Sequence, residues 1–323
     1  MTTTGEARAA GQQRAALVAS ERRLFAALGL EVRERELELD GAPVPRLRVL
    51  ETGEGPPIVL LHGAGVGAAI WAPLLAKLPD HHCIAVDLPG CGASPPFDFD
   101  GVDLRTHAVS LVTALLDALQ LRSVALAGNS LGGTYALYLA TEGDERLSHL
   151  LLLGATGAAL PGGRAPLPMA LMSRPRIGHL AEVLTPRMRP SLSRRFFASV
   201  VGRPAVDAAP DEMFAVVAAL ANISGPTFRS LMPVLFEGRH IRRHLELTDG
   251  ELRTIATATR FVWGRDDVFQ DAADGARAAA LIPAADHVEV AGGHHPWWDD
   301  ASRCAMLVRE HLGTAGGPAT SQR

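Results

Sequence analysis

A chain of 323 residues with 47% hydrophobic and 20% charged residues can bury the core of one large α/β domain or two smaller ones, and it is too apolar to be a disordered chain. Its formal net charge of −4 brings no overall attraction to nucleic acid or to an anionic membrane. Three cysteines without a C-x-x-C pair, no secretory leader and no run of about 18 apolar residues point to a cytoplasmic protein with no structural disulfide and no membrane insertion.

Residues 1–30 place Leu17, Val18, Leu24, Phe25 and Leu28 near helical spacing, which predicts an N-terminal helical extension packed on the body; a homodimer contact is the alternative. "EVRERELEL" (31–39) and "RLRVLE" (46–51) alternate with period two around a "DG" turn at 40–41, the pattern of an antiparallel hairpin. The texture then changes to short apolar runs without alternation at 56–63, 82–90, 123–130 and 147–155, as expected of strands buried on both faces. Helix-length segments near 67–78, 103–120 and 131–142 separate them, and such alternation predicts a mostly parallel sheet with right-handed crossovers. Residues 158–244 carry several prolines, helical stretches such as "DEMFAVVAALA" (211–221) and no convincing strand, so an α-helical insertion is expected there. Between 161 and 204 this insertion holds eight arginines (164, 174, 176, 187, 189, 194, 195 and 203) and a single acid, Glu182, read as a solvated face or as an attractor of anionic substrate. "TDGE" (248–251) fits a capping box. The strand texture returns at 260–264 and 286–292, followed by an amphipathic helix near 299–312 and a frayed tail at 314–323. The division expected is an extension (1–30), an α/β core (31–157 and 245–313), a helical cap (158–244) and a flexible tail.

The chemistry centres on "LAGNSLGG" (126–133). With 14 serines and glycine at about a tenth of all positions, chance alone would supply roughly 0.14 copies of G-x-S-x-G, so context must decide. Ser130 ends a buried strand and a helix follows at once. Gly128 and Gly132 relieve the crowding of so sharp a turn, which lifts the hydroxyl above the strand's carboxyl end. The helix N-terminus there directs free N–H groups at a developing anion. A serine hydroxyl needs a general base oriented by a carboxylate. Among twelve histidines, "VAGGHHPWWDD" offers His294 and His295 after a strand, and "FVWGRDDVF" offers Asp266 and Asp267 after another. The order Ser, Asp, His fits an α/β-hydrolase.

Together "LLHGAG", "DLPGCGAS", "GNSLGG", "WGRDD" and "GGHHPWWDD" resemble the α/β-hydrolase superfamily over roughly residues 40–313, in its serine-nucleophile branch with a helical cap. The resemblance implies Ser130 as nucleophile, Asp267 through the family's G-x-x-D block and His294 through its G-H-x-P pattern. It also implies an oxyanion hole from the N–H groups of Ala64 and Leu131, with His62, Gly63 and Gly65 supporting that loop. Asp266 is then a solvated charge, His295 a pocket-lining or surface residue, and Asp87 a turn residue. The four tryptophans are core or pocket walls. No cofactor and no metal are implied, because the "HH" pair lacks an H-E-x-x-H context. A serine at this turn also excludes chemistry that needs a carboxylate nucleophile, such as opening epoxides or displacing halide.

The leading expectation is a serine hydrolase that cleaves an ester, thioester or lactone of a small acyl substrate through an acyl-enzyme. Carbon–carbon bond hydrolysis in a vinylogous diketone is the alternative. Relatives with that activity resemble "HGxGPG" and "GHW" where this chain has "HGAGVG" and "GHH". Binding of a small molecule without turnover is the third reading.

Overall fold

Eight strands form one mixed sheet, in the spatial order Arg33–Glu38, Arg46–Thr52, His82–Val86, Pro57–Leu61, Val124–Gly128, Leu147–Leu153, Ala258–Gly264 and Ala285–Val290. The structure, a computed structural model, describes residues 4–172, 174 and 187–313; the tail at 314–323, Arg176 and Glu182 lie outside the described residues. After helix α1 (Thr4–Ala27) come β1 (Arg33–Glu38) and β2 (Arg46–Thr52), paired antiparallel as the hairpin pattern requires. Strands β3 (Pro57–Leu61), β4 (His82–Val86), β5 (Val124–Gly128) and β6 (Leu147–Leu153) are mutually parallel, and β9 (Ala258–Gly264) and β10 (Ala285–Val290) extend the same direction. The crossovers are a 3-10 turn with α2 (Ala72–Leu75), then α3 (Leu104–Ala118), α4 (Leu131–Thr141) and α10 (Ala272–Leu281).

Because strand side chains alternate between faces, each apolar run feeds two cores. Val59, Leu61 and Leu126 pack on one side with Leu111 of α3, Tyr135 of α4 and Ala278 of α10. Ile58, Leu60 and Ala125 pack on the other side with Leu17 and Leu24 of α1, Trp71 and Leu307. The tryptophans of the chain are all core: Trp71 stacks on Trp297 at 4.0 Å, and the indole N–H groups of Trp297 and Trp298 both donate to the Ile70 carbonyl (2.9 and 3.1 Å). Asp87 accepts from the amides of Ala68 and Ala93 (2.7 and 2.9 Å), which fixes the turns on either side of it.

The segment between β6 and β9 supplies α5 (Leu167–Met172), α6 (Pro190–Ala198), α7 (Arg203–Ala208) and α8 (Asp211–Leu235). It also contains a strand pair that the composition hid: β7 (Phe236–Glu237) and β8 (His240–Ile241) form a minimal hairpin with Gly238 at φ 64°. Helix α8 runs fourteen residues past the 211–221 stretch and continues through Pro226 and Pro233, because Leu231, Met232 and Leu235 bury themselves against the core. Helix α9 (Asp249–Thr254) begins with the expected capping box, the Glu251 amide donating to Thr248 Oγ1 and the Thr248 amide to Glu251 Oε2. The chain closes with α11 (Pro296–Asp299) and α12 (Ala301–His311). Among the described residues no helix is long and apolar enough to cross a membrane.

Candidate active site

Strand β5, which leads into the turn carrying Ser130, is buried along its whole length. The Asn129 amide donates to the Leu61 carbonyl of β3 (3.0 Å) and the Ser130 amide to the Ala155 carbonyl beyond β6 (2.8 Å), so both neighbouring strands peg the turn. Ser130 sits at φ 53°, ψ −118°, a conformation that costs a non-glycine residue on the order of 1–3 kcal/mol and persists only where surroundings over-determine it. Gly132 is required by close approach: a Cβ there would lie 2.0 Å from the Leu61 carbonyl oxygen. Gly128 ends β5 beneath it.

The loop after β3 carries His62, Gly63, Ala64 and Gly65. His62 accepts the Leu88 amide at Nε2 (3.0 Å), so Nδ1 carries the proton and donates to the Gly63 carbonyl (2.6 Å). Complete burial holds this imidazole below its usual pKa, and the ring is a neutral brace for the loop rather than a second base. Gly65 adopts φ 74° against the Phe228 ring. Gly63 passes so close to Ser130 that an added Cβ would meet its Cβ at 3.0 Å. Among the described residues neither the Ala64 nor the Leu131 amide donates to a protein acceptor.

Asp267 and His294 come together from the loops after β9 and β10, with His294 Nδ1 2.8 Å from Asp267 Oδ2. Asp267 also accepts the Ala155 amide at Oδ2 (2.9 Å) and the Phe269 amide at Oδ1 (2.9 Å), which fixes its orientation. The carboxylate therefore holds Nδ1 as the protonated nitrogen and leaves Nε2 as the basic one. Phe269 packs on the His294 ring at 4.3 Å. Asp266 is exposed, and His295 is buried beside His294 at 5.3 Å between ring centroids. Asn129 donates through Nδ2 to the carbonyls of Leu153 (2.6 Å) and His294 (3.0 Å). It thereby ties the serine turn to the histidine loop; its place beside Ser130 was the only available signal.

Ser130, His294 and Ala64 open into a cavity of about 600 Å³. Phe197 of α6, Val217 and Phe228 of α8, and Gln13 of α1 also line it. A smaller recess of about 40 Å³, lined by Leu131, Met232, Ile241 and Phe269, flanks Ser130. A mostly apolar cavity with a few convergent polar groups is the usual form of a small-molecule site. Among the described residues no group of three His, Cys, Asp or Glu side chains is placed to hold a metal ion.

The sequence profile of the alpha/beta hydrolase family matches residues 58–307. The chain belongs to that family. Among curated alpha/beta hydrolase relatives, the 2-hydroxy-6-oxononadienedioate/2-hydroxy-6-oxononatrienedioate hydrolase of Paraburkholderia xenovorans is 30% identical over 285 residues, covering 83% of this chain and 90% of the relative. Among solved structures, 2-hydroxy-6-oxo-6-phenylhexa-2,4-dienoate hydrolase from a Rhodococcus species superposes with TM-score 0.68 at 21% identity over 88% of this chain and 99% of that one. The carboxylesterase CesB of Bacillus subtilis superposes with TM-score 0.69 at 19% identity, covering 95% and 99%. At these identities the two structures speak to the fold, a mostly parallel eight-stranded sheet flanked by helices.

Proposed function

We propose that this alpha/beta hydrolase cleaves a carbon–carbon bond in a vinylogous 1,5-diketone, a 2-hydroxy-6-oxo-dienoate, so that the reading weighed second on sequence moves ahead of ester cleavage. The observation that supports it is likeness to a hydrolase of such compounds over most of both chains. Direct loss of the acyl group from the dienol would leave an unstabilised vinyl carbanion. Moving the enol proton to C5 first makes the leaving group a conjugated dienolate. Ser130 Oγ then attacks the C6 carbonyl while His294 takes its proton, and the Ala64 and Leu131 amides receive the oxyanion. The C5–C6 bond breaks, its electron pair delocalises into the 2-oxo group, and His294 returns the proton to the departing dienolate. Water activated by the same imidazole releases the acid from Ser130. Asp267 orients the ring and stabilises its cationic form. The helices of 158–244 serve as the cap over the cavity.

The enzyme is expected to bleach the visible band of 2-hydroxy-6-oxo-6-phenylhexa-2,4-dienoate, consuming one water and giving benzoate and 2-hydroxypentadienoate. Ser130→Ala should lower kcat by about 10⁶-fold. A wild type that bleaches neither this band nor that of 2-hydroxy-6-oxononadienedioate sinks this reading. Ester hydrolysis is the second reading, favoured by Val66 and His295, which stand where the "HGxGPG" and "GHW" patterns have proline and tryptophan. Release of nitrophenol from nitrophenyl esters without bleaching would select it, and a protein that binds without turnover would do neither.

A further inference from the structure

The three imidazoles nearest the serine differ in how their nitrogens are used. His62 spends both on the backbone, and His294 gives Nδ1 to Asp267. His295 is 3% exposed and makes no ring hydrogen bond among the described residues. Among the described residues its Nδ1 is buried without a partner, and Nε2, which has no hydrogen bond there either and is not among the sealed atoms, is the nitrogen left open to the cavity that His295 lines with Ser130 and His294. Buried polar atoms are nearly always paired, and an orphan costs about 1–3 kcal/mol. His107 and His287 also keep a buried nitrogen without a hydrogen bond, but neither lines the cavity.

The ring is held rigidly. Trp297 packs on it at 4.9 Å, Trp298 at 5.3 Å and Phe197 at 6.0 Å between centroids, so little rotamer freedom remains to be lost on binding. Burial, with His294 and His62 nearby, pushes its pKa well below the usual range, so the ring stays neutral. A neutral neighbour does not repel the imidazolium that forms on His294 during turnover. Its exposed nitrogen either donates or accepts, depending on the tautomer, and a hydroxyl answers both.

We propose that His295 is a specificity-determining residue whose open ring nitrogen hydrogen-bonds a hydroxyl oxygen of the substrate, distinct from the carbonyl under attack. The ligand supplies Nε2 with the partner that the described residues do not. This rests on the dienol reading above and adds to it that the hydroxyl is recognised by His295.

The test is calorimetric binding to Ser130→Ala protein, alone and combined with His295→Phe or His295→Gln. The two ligands are 2-hydroxy-6-oxo-6-phenylhexa-2,4-dienoate and the same dienoate without the 2-hydroxyl. Ser130→Ala should bind the hydroxylated ligand at least about tenfold more tightly, the size of one hydrogen bond. His295→Phe keeps an aromatic ring in the box and should erase that preference. His295→Gln restores a polar atom and should keep most of it. No preference in Ser130→Ala, a preference that survives His295→Phe, or an equal loss for both ligands overturns the assignment. The two readings separate cleanly. If the preference follows His295 but wild type leaves both bands unbleached, the reaction is wrong and the contact stands; bleaching without any preference gives the reverse.

Discussion

Two of the buried charge clusters among the described residues differ in one respect: one lines the cavity and the other does not. In the first, Asp267 is buried with His294, accepts two backbone amides, and presents the imidazole to the space that Ser130 opens into. In the second, Arg48, 2% exposed, donates to both oxygens of Glu21 (2.6 and 3.1 Å), to Asp87 (3.0 Å) and to Glu34 (2.9 Å), and none of these four residues lines the cavity. That cluster pins α1 to β2 and to the turn after β4. Burial and ion pairing are therefore common to both. What separates a candidate catalytic pair from a structural one is whether a polar atom is left facing open space.

The contrast breaks most sharply at Asp267. Asp267→Asn keeps the size of the side chain but presents an amide where Nδ1–H needs an acceptor, which favours the wrong tautomer of His294. The expected loss in kcat is about 10⁴-fold, with the thermal midpoint little changed. A loss below about tenfold would place the pair outside the reaction. At the second cluster the expected pattern inverts. Arg48→Met leaves two buried carboxylates uncompensated and should cost about 3–5 kcal/mol in urea unfolding, while kcat of the folded protein stays within about threefold. If Arg48→Met instead left stability intact and abolished turnover, the division between the clusters would be wrong.

The first cluster was legible in the sequence and the second was not, for a physical reason. Ser130, Asp267 and His294 stand just after parallel strands, where chain order and strand texture bring side chains to one edge of the sheet; the family patterns that "GRDD" and "GHHP" resemble single out Asp267 and His294, the two side chains that meet at 2.8 Å. Arg48 sits on a strand whose alternation marks it as a solvent-facing charge, and Glu21 stands between Leu17 and Leu24 on the apolar face of α1, where nothing local names a partner for it. Only the docking of α1 across β2 buries them. The same limit hid β7 and β8, two residues each, and the continuation of α8 past Pro226, because tertiary packing of Leu231 and Leu235 outweighs local propensity. The sheet could be read because buried strands advertise themselves locally. The cavity wall of α6 and α8 could not, since which of its faces turns inward depends on partners far along the chain.

The gentlest probe of the contrast is Glu21→Gln. Two buried carboxylates share the one Arg48 cation, and Asp87 has two backbone amides besides, so Glu21 is the one left short of compensation. Burial, only partly offset by the Arg48 hydrogen bonds, pushes its pKa up from 4.5 to about 7. The folded protein thus binds a proton that the unfolded chain has already released between these values. That stabilisation is complete below about pH 4.5 and is lost as pH rises through 7, at most about 3 kcal/mol at roughly 1.4 kcal/mol per unit. Gln cannot ionise, so Glu21→Gln should flatten the fall in unfolding free energy between pH 5 and 8 and leave turnover untouched. At pH 8 the variant should match or exceed wild type in stability, because its neutral amide no longer competes with Asp87 for the arginine. Parallel stability curves for the two proteins across this range would show that Arg48 keeps Glu21 ionised throughout, and that the second cluster is as fully compensated as the first.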